Sequence, residues 1–137
     1  DGVGIVEGLE ISGPAAAAEA LAPIFRGSDQ EIFVGLALNG RHRLATPYIV
    51  SIGTLTASLI HPREVFRPAL LLGAAAIIVA HNHPSGNPQP SNEDKLVTKQ
   101  LVSAGDLIGI KVLDHVIWAN DGCVSFRDLG ILEGVGK

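Results

Sequence analysis

The sequence predicts an α/β domain, with three α-β-α layers built around a mixed sheet. Three observations predict it. Residues 74–83, AAAIIVAHNH, form an unbroken apolar run of strand length, as a strand covered on both faces requires. Segments with helical spacing and start signals stand on either side of that run, at 61–74 and 92–104. Two further stretches, 31–53 and 107–126, read as β-hairpins with Asn-Gly and Asn-Asp-Gly turn signals.

In chain order, the first dozen residues hold Gly2, Gly4 and Gly8 and little periodicity, so they read as a loose lead-in. SGPAAAAEALAPIFRG is helical: Ser12 is a cap, Pro14 suits the first turn and the alanines favour helix. Pro23 is expected to end that helix or to kink its last turn. In EIFVGLAL the side chains of Ile32, Val34, Leu36 and Leu38 share one face, and Asn39-Gly40 offers the positive φ angles of a tight turn. HPREVFRPALLLGA starts a helix at Pro62 and meets Pro68, where a kink or restart is expected. After the buried strand, SNEDKLVTKQLVSAG is a helix capped by Ser91. Its apolar face is Leu96, Val97, Leu101 and Ala104, and Gly105 is its stop. LIGIKVLDHVIWA then alternates as a strand, and Asn120-Asp121-Gly122 turns it into CVSF. This divides the chain into a lead-in and packing helix over 1–30 and one domain over 31–137.

Composition narrows the function. The chain has 137 residues, enough for one core, and 47% of them are hydrophobic, which excludes a disordered segment. A net charge of -4 argues against a broad phosphate-binding face. The single Cys123 excludes an internal disulfide and any multi-cysteine zinc site, and it reads as a small hydrophobe. The longest apolar run, 69–80, is too short to span a bilayer, and no signal segment opens the chain. A cytoplasmic location is expected, with no membrane partner. The chain begins at Asp1 and has no methionine, so a fragment or a processed product is expected.

The chemistry concentrates in HNHPSGNPQPSNED, residues 81–94, which carries two of the five histidines. Strand alternation points His81 and His83 the same way, at the C-terminal end of the buried strand, where open sheets place their ligands. Asp94 falls in the first turn of the next helix. A Pro- and Gly-shaped loop can fold it back over the strand end. Two imidazoles and one carboxylate make a three-ligand set that leaves a fourth tetrahedral position for water, the catalytic arrangement for zinc. Ser91-x-x-Asp94 is also an ordinary helix start, with Ser as cap and Asp against the dipole. The letters HNH do not make an HNH nuclease, because Asn82 faces away from both histidines. Asp114 and His115 are strand neighbours with opposite directions, so they cannot both enter one site. Either is a structural hydrogen-bonding residue or a partner of a ligand histidine. His42 and His61 read as turn or surface residues.

The pattern His81-x-His83, ten residues, Asp94, with Ser91 three before the aspartate, resembles the JAMM signature of JAB/MPN-domain metalloproteases. With GTLTASLIHPREVF before it and LDHVIW after it, the chain is similar to the RadC branch over about Glu31 to Phe126. Longer RadC proteins carry an additional N-terminal helical region that nothing here resembles. The resemblance implies a JAB/MPN, cytidine-deaminase-like architecture and one zinc ion held by His81, His83 and Asp94. It also implies a water activated by that metal, attacking an amide or isopeptide bond of a peptide or protein substrate. Ser91 is implied as the residue that holds the polarised carbonyl. A glutamate that opens a strand is implied as the general acid/base, and Glu31 fits that place better than Glu64 or Glu93. Two other functions stand beside the hydrolase. One is a DNA-repair-associated protein that processes DNA, which the net charge does not favour. The other is a metal-bearing binding module without turnover. The substrate and the oligomeric state are not legible.

Overall fold

The computed structural model describes residues 9–10, 13–40 and 43–132. The elements are β1 (Leu9–Glu10), α1 (Pro14–Phe25), β2 (Ile32–Leu38), β3 (Arg43–Ile52) and α2 (Pro62–Leu71). They continue with β4 (Ala76–Asn82), α3 (Asn92–Ile108), β5 (Lys111–Ala119) and β6 (Gly122–Ser125). The strands form one sheet in the order β1-β3-β2-β4-β5-β6. Only β4 and β5 are parallel, and α3 is the crossover between them. The sheet is therefore mixed, as the sequence predicts.

Alternation along the central strands divides the core into two layers. Ile78 and Ala80 of β4 join Ile32, Val34, Leu36 and Leu38 of β2 under α1, whose Ala17, Leu21 and Phe25 are buried against them. Ile77 and Val79 face the other way, onto Val65 and Phe66 of α2 and Val97 and Leu101 of α3. Each large aliphatic side chain buried in this way contributes about 1.5–3 kcal/mol. The same alternation carries His81 onto the α2–α3 side. Asn82 goes to the α1 side, where its Oδ1 accepts from the Ile32 N–H at 2.7 Å and its Nδ2 donates to the Gln30 carbonyl at 2.9 Å.

Several local expectations are corrected. Gly105 does not stop α3. The helix runs on to Ile108, and Gly109 caps it at φ 81°. Gly105 is a close-approach residue, because a Cβ there would stand 2.5 Å from the Ile110 carbonyl oxygen and 3.3 Å from the Phe66 ring. Leu107 and Ile108 are consequently helical, and β5 starts at Lys111. Leu96 lies on the exposed flank of α3, whereas Thr98 is buried. Gly40 does not take a positive φ. Pro23 falls in the last turn of α1, two residues before its end at Phe25, and Pro68 lies inside α2. Gly13 occupies the cap position of α1. The cap expected of Ser12, the lead-in at Gly2, Gly4 and Gly8, and the turn residue His42 lie outside the described residues. Tyr48 of β3 donates to the Val65 carbonyl at 2.7 Å, a tie from sheet to helix that periodicity does not reveal.

Candidate metal centre

β4 and the start of α3 build the centre. β4 ends at Asn82, and the His83 N–H extends the ladder by donating to the Trp118 carbonyl at 3.0 Å. His81 and His83 therefore keep the strand's two-residue spacing, and their rings meet edge to face at 4.7 Å between centroids. The loop from Pro84 to Pro90 then reverses the chain. α3 begins with a capping box: Ser91 Oγ accepts the Asp94 N–H at 3.1 Å, and Asp94 Oδ2 accepts the Ser91 N–H at 2.7 Å. That box starts the helix and also fixes the Asp94 carboxylate over the strand end. Asp94 thus serves both readings of the sequence, as the N3 residue of the capping box and as a candidate ligand.

The three side chains converge. His81 Nε2 is 3.1 Å from Asp94 Oδ1, and His83 Nε2 is 3.2 Å from Asp94 Oδ2. One ligand-type atom from each residue lies within 4.8 Å of the others. His81 and Asp94 are buried, and His83 is half-buried. His81 Nε2 is the one buried side-chain nitrogen or oxygen among the described residues that makes no hydrogen bond. His83 Nδ1 sits 2.8 Å from the Asn87 carbonyl oxygen, which can only accept. In the neutral ring the proton is therefore on Nδ1, and Nε2 presents a lone pair. Lone pairs turned toward a carboxylate in a buried place call for a cation between them. The donor set of two nitrogens and a carboxylate fits a divalent metal of the zinc class.

Without an ion, the carboxylate and the imidazoles act on one another. Burial would raise the Asp94 carboxyl, but the two histidines and the Ser91 N–H outweigh it and hold the group well below the usual carboxylate range. The Asp94 carboxylate raises His83 above its ordinary value against the effect of burial. The Asn87 carbonyl and the charge of Glu31 add to the rise.

His115 also belongs here. Its Nε2 is 2.9 Å from His81 Nδ1, and its Nδ1 is 2.5 Å from the hydroxyl of Thr98 on α3. Burial first, then the adjacent His81, push its imidazole well below the ordinary value, so the ring is neutral. A bulge in β5 sets its direction. Ile77 pairs with Val112 but Ile78 pairs with Asp114, so Leu113 is the extra residue. Asp114 turns away and serves structure. It accepts from the Ser125 hydroxyl at 2.5 Å and from the N–H groups of His115 and Arg127 at 2.8 and 3.0 Å.

A cleft of about 600 Å³ opens over the centre, lined among others by Glu31, His83, Ser91, Glu93 and Asp94. Glu31 sits one residue before β2, and its carbonyl accepts the Gly53 N–H at 2.7 Å. Glu31 Oε1 accepts the Leu55 N–H at 3.2 Å, and Glu93 Oε1 accepts the Ala57 N–H at 2.8 Å. The two glutamates thus hold the loop after β3 as one wall of the cleft. Glu93 lines the cleft as well as Glu31. Glu64 is on α2, exposed and 3.7 Å from Arg63, and does not line the cleft.

A mixed α/β sheet carrying two histidines and an aspartate at the end of its central strand defines a domain with a candidate metal centre. The family described as RadC-like JAB domain matches residues 11–131, and the chain belongs to it. Similar proteins include a UPF0758 protein of Symbiobacterium thermophilum, 48% identical over 92% of this chain and 54% of its own length. Another, from Methanosarcina mazei, is 43% identical over 90% of this chain and 54% of its own. A third, from Shouchella clausii, is 48% identical over 91% of this chain and 54% of its own. The chain spans about half the length of the curated relatives it matches. No helix among the described residues is long and apolar enough to cross a membrane.

Proposed function

We propose that this domain is a zinc-dependent hydrolase of the JAMM metallopeptidase type, acting on an amide or isopeptide bond of a peptide or protein. One observation carries the proposal. The buried Nε2 of His81 lies 3.1 Å from the Asp94 carboxylate, and Asp94, His83, Glu31 and Ser91 line one cleft. His81, His83 and Asp94 would hold a zinc ion, which would supply Lewis acidity and make a hydroxide available near neutral pH.

The remaining roles fall to the chain's own groups. An amide nitrogen leaves readily only when protonated, so a carboxylate outside the ligand set must take a proton and return it. Glu31 is that group, because it lines the cleft and its charge is felt at His83. Ser91 accepts a hydrogen bond through Oγ and keeps its own proton, which it can donate to a carbonyl oxygen gaining negative charge. The cleft is lined by four carboxylates, Asp29, Glu31, Glu93 and Asp94, and by no lysine or arginine among the described residues. That lining favours a peptide over a phosphodiester, which needs cationic contacts.

Zinc-loaded protein incubated with a mixed peptide library, including isopeptide-linked peptides, tests the proposal by mass spectrometry. Expected are new termini that vanish on chelation and in the Asp94→Ala variant. Zinc-loaded protein that cleaves no amide in the library would overturn the hydrolase assignment.

A further inference from the structure

Ligand histidines commonly donate their second ring N–H to a carboxylate, a backbone carbonyl or water, all of which accept in any state of the protein. His81 meets another histidine instead. His115 Nε2 is 2.9 Å from His81 Nδ1, and either nitrogen can hold the proton. If His81 holds it on Nδ1, its Nε2 offers a lone pair to a metal. If His115 holds it, a neutral His81 carries its proton on Nε2 and cannot ligate. Something further along must decide.

Thr98 is in a position to decide. Its Oγ1 is 2.7 Å from the Asp94 backbone carbonyl oxygen and 2.5 Å from His115 Nδ1. The hydroxyl has one proton, and the carbonyl has none. Two bare oxygens at 2.7 Å would repel, so the Thr98 proton points at the carbonyl. Thr98 Oγ1 is then free only to accept, and His115 Nδ1 must donate to it. His115 is fully buried, its ring stacked on Phe126 at 4.6 Å and edge-on to Phe33 at 5.8 Å. An apolar sandwich of this kind keeps the ring neutral. With its proton on Nδ1, His115 accepts at Nε2, and His81 Nδ1 donates to it. With one proton on each ring, this arrangement places a single proton in each of the three contacts. It turns the lone pair of His81 Nε2 toward Asp94 Oδ1, 3.1 Å away, where a metal ion would sit.

We infer that Thr98 and His115 are positioning residues that lock His81 in its metal-binding tautomer, through the chain Asp94 carbonyl, Thr98 hydroxyl, His115 imidazole, His81 imidazole. The chain starts on the backbone of one ligand residue and ends on the ring of another, so it joins α3 to β4 behind the metal position. The inference rests on His81, His83 and Asp94 as metal ligands but not on the reaction. Hydrolysis can fail while the tautomer lock holds.

The experiment is long-range ¹H–¹⁵N correlation spectroscopy of the histidine rings in chelator-treated full chain, paired with zinc competition titrations. In the parent protein at pH 8, His81 shows its proton on Nδ1. Thr98→Val keeps the side-chain shape and removes the oxygen that reads His115. His81 then becomes a tautomer mixture, and zinc affinity falls 10- to 100-fold, the usual consequence of losing a group that orients a ligand. Thr98→Ser restores both. His115→Phe weakens zinc binding over the same range and brings His81 Nε2–H into the spectrum. A parent spectrum with His81 protonated on Nε2 overturns the inference. So does a folded Thr98→Val protein with the parent tautomer and affinity. Because Val and Ser are close in size to Thr, that pair keeps the test decisive if His115→Phe fails to fold.

Discussion

His83→Ala separates the metal centre from the fold. Of the two ligand histidines, His83 is the accessible one: its side chain is 15% exposed, against 1% for His81. Its ring pairs with Asp94 Oδ2 at 3.2 Å while it is protonated; in the neutral ring it keeps one hydrogen bond, to the Asn87 carbonyl at 2.8 Å, and it sits beyond the end of β4 rather than inside the core. Losing that bond costs the metal-free protein about 0.5–1.5 kcal/mol, since a typical internal hydrogen bond is worth that much net. The metal term is larger. Zinc at 100 times its dissociation constant stabilises the parent by about 2.7 kcal/mol. At roughly 4 °C per kcal/mol, this raises Tm by about 10 °C. His83→Ala breaks the ligand set, so its Tm with zinc equals its Tm with chelator, and the latter lies within about 6 °C of the chelated parent. Differential scanning calorimetry of both proteins in both conditions gives the four numbers. An equal zinc-induced rise in parent and variant would refute His83 as a ligand. A chelated variant that does not fold would refute the claim that the core stands without the metal.

Two further outcomes follow from the charges. Glu31→Gln retains zinc and fold but loses turnover by about 10²–10⁴-fold, the usual worth of general acid–base catalysis. An unchanged rate in the zinc-loaded variant, on a peptide the parent cleaves, removes Glu31 from that role. The second outcome is the pH dependence of the metal-free protein. Asp94 lifts His83 above 6.5, so their pairing contributes stability that is fully present below 6.5 and lost as pH rises through the raised His83 value. Zinc affinity runs the opposite way, climbing about tenfold per pH unit until His83 has lost its proton. Denaturant midpoints and zinc titrations between pH 5 and 9 read the two trends. Parallel rather than opposed slopes would contradict the pairing.

The parts of the site that sequence reveals are those set by local rules. Period-two alternation brings His81 and His83 to one side of β4. The apolar run before them makes that strand interior, and the three-residue offset from Ser91 to Asp94 marks a helix start. What stays hidden depends on distant partners. His115 reaches His81 only because of the bulge at Leu113 and the parallel register of β5 on β4, and neither has a sequence signature. Glu31 and Glu93 hold backbone amides 24 and 36 residues away, so loop geometry alone could assign them. Gly105 and Gly109 both qualify as helix stops, and the choice falls on Gly109 because Ile110 and Phe66 crowd Gly105.

The topology explains why the centre is here. β4 is the strand where the sheet changes character, antiparallel to β2 on one side and parallel to β5 on the other. A parallel neighbour requires a crossover, and α3 supplies it. The crossover must start above the C-terminal end of β4, so the first turn of α3, with Ser91 and Asp94, is delivered to the side where His81 and His83 emerge. It must also lie across the same face as His115, so Thr98, one turn along from Asp94, comes within reach of that ring. A helix start presents unpaired N–H groups that favour an acid. Here the Asp94 carboxylate satisfies the Ser91 N–H with Oδ2, which also lies 3.2 Å from His83 Nε2, while Oδ1 faces His81. Moving α3 by one residue would rotate Asp94 about 100° off the strand end and carry Thr98 away from His115. Ligand set and tautomer lock thus depend on a single register between α3 and β4, and losing it would remove both together.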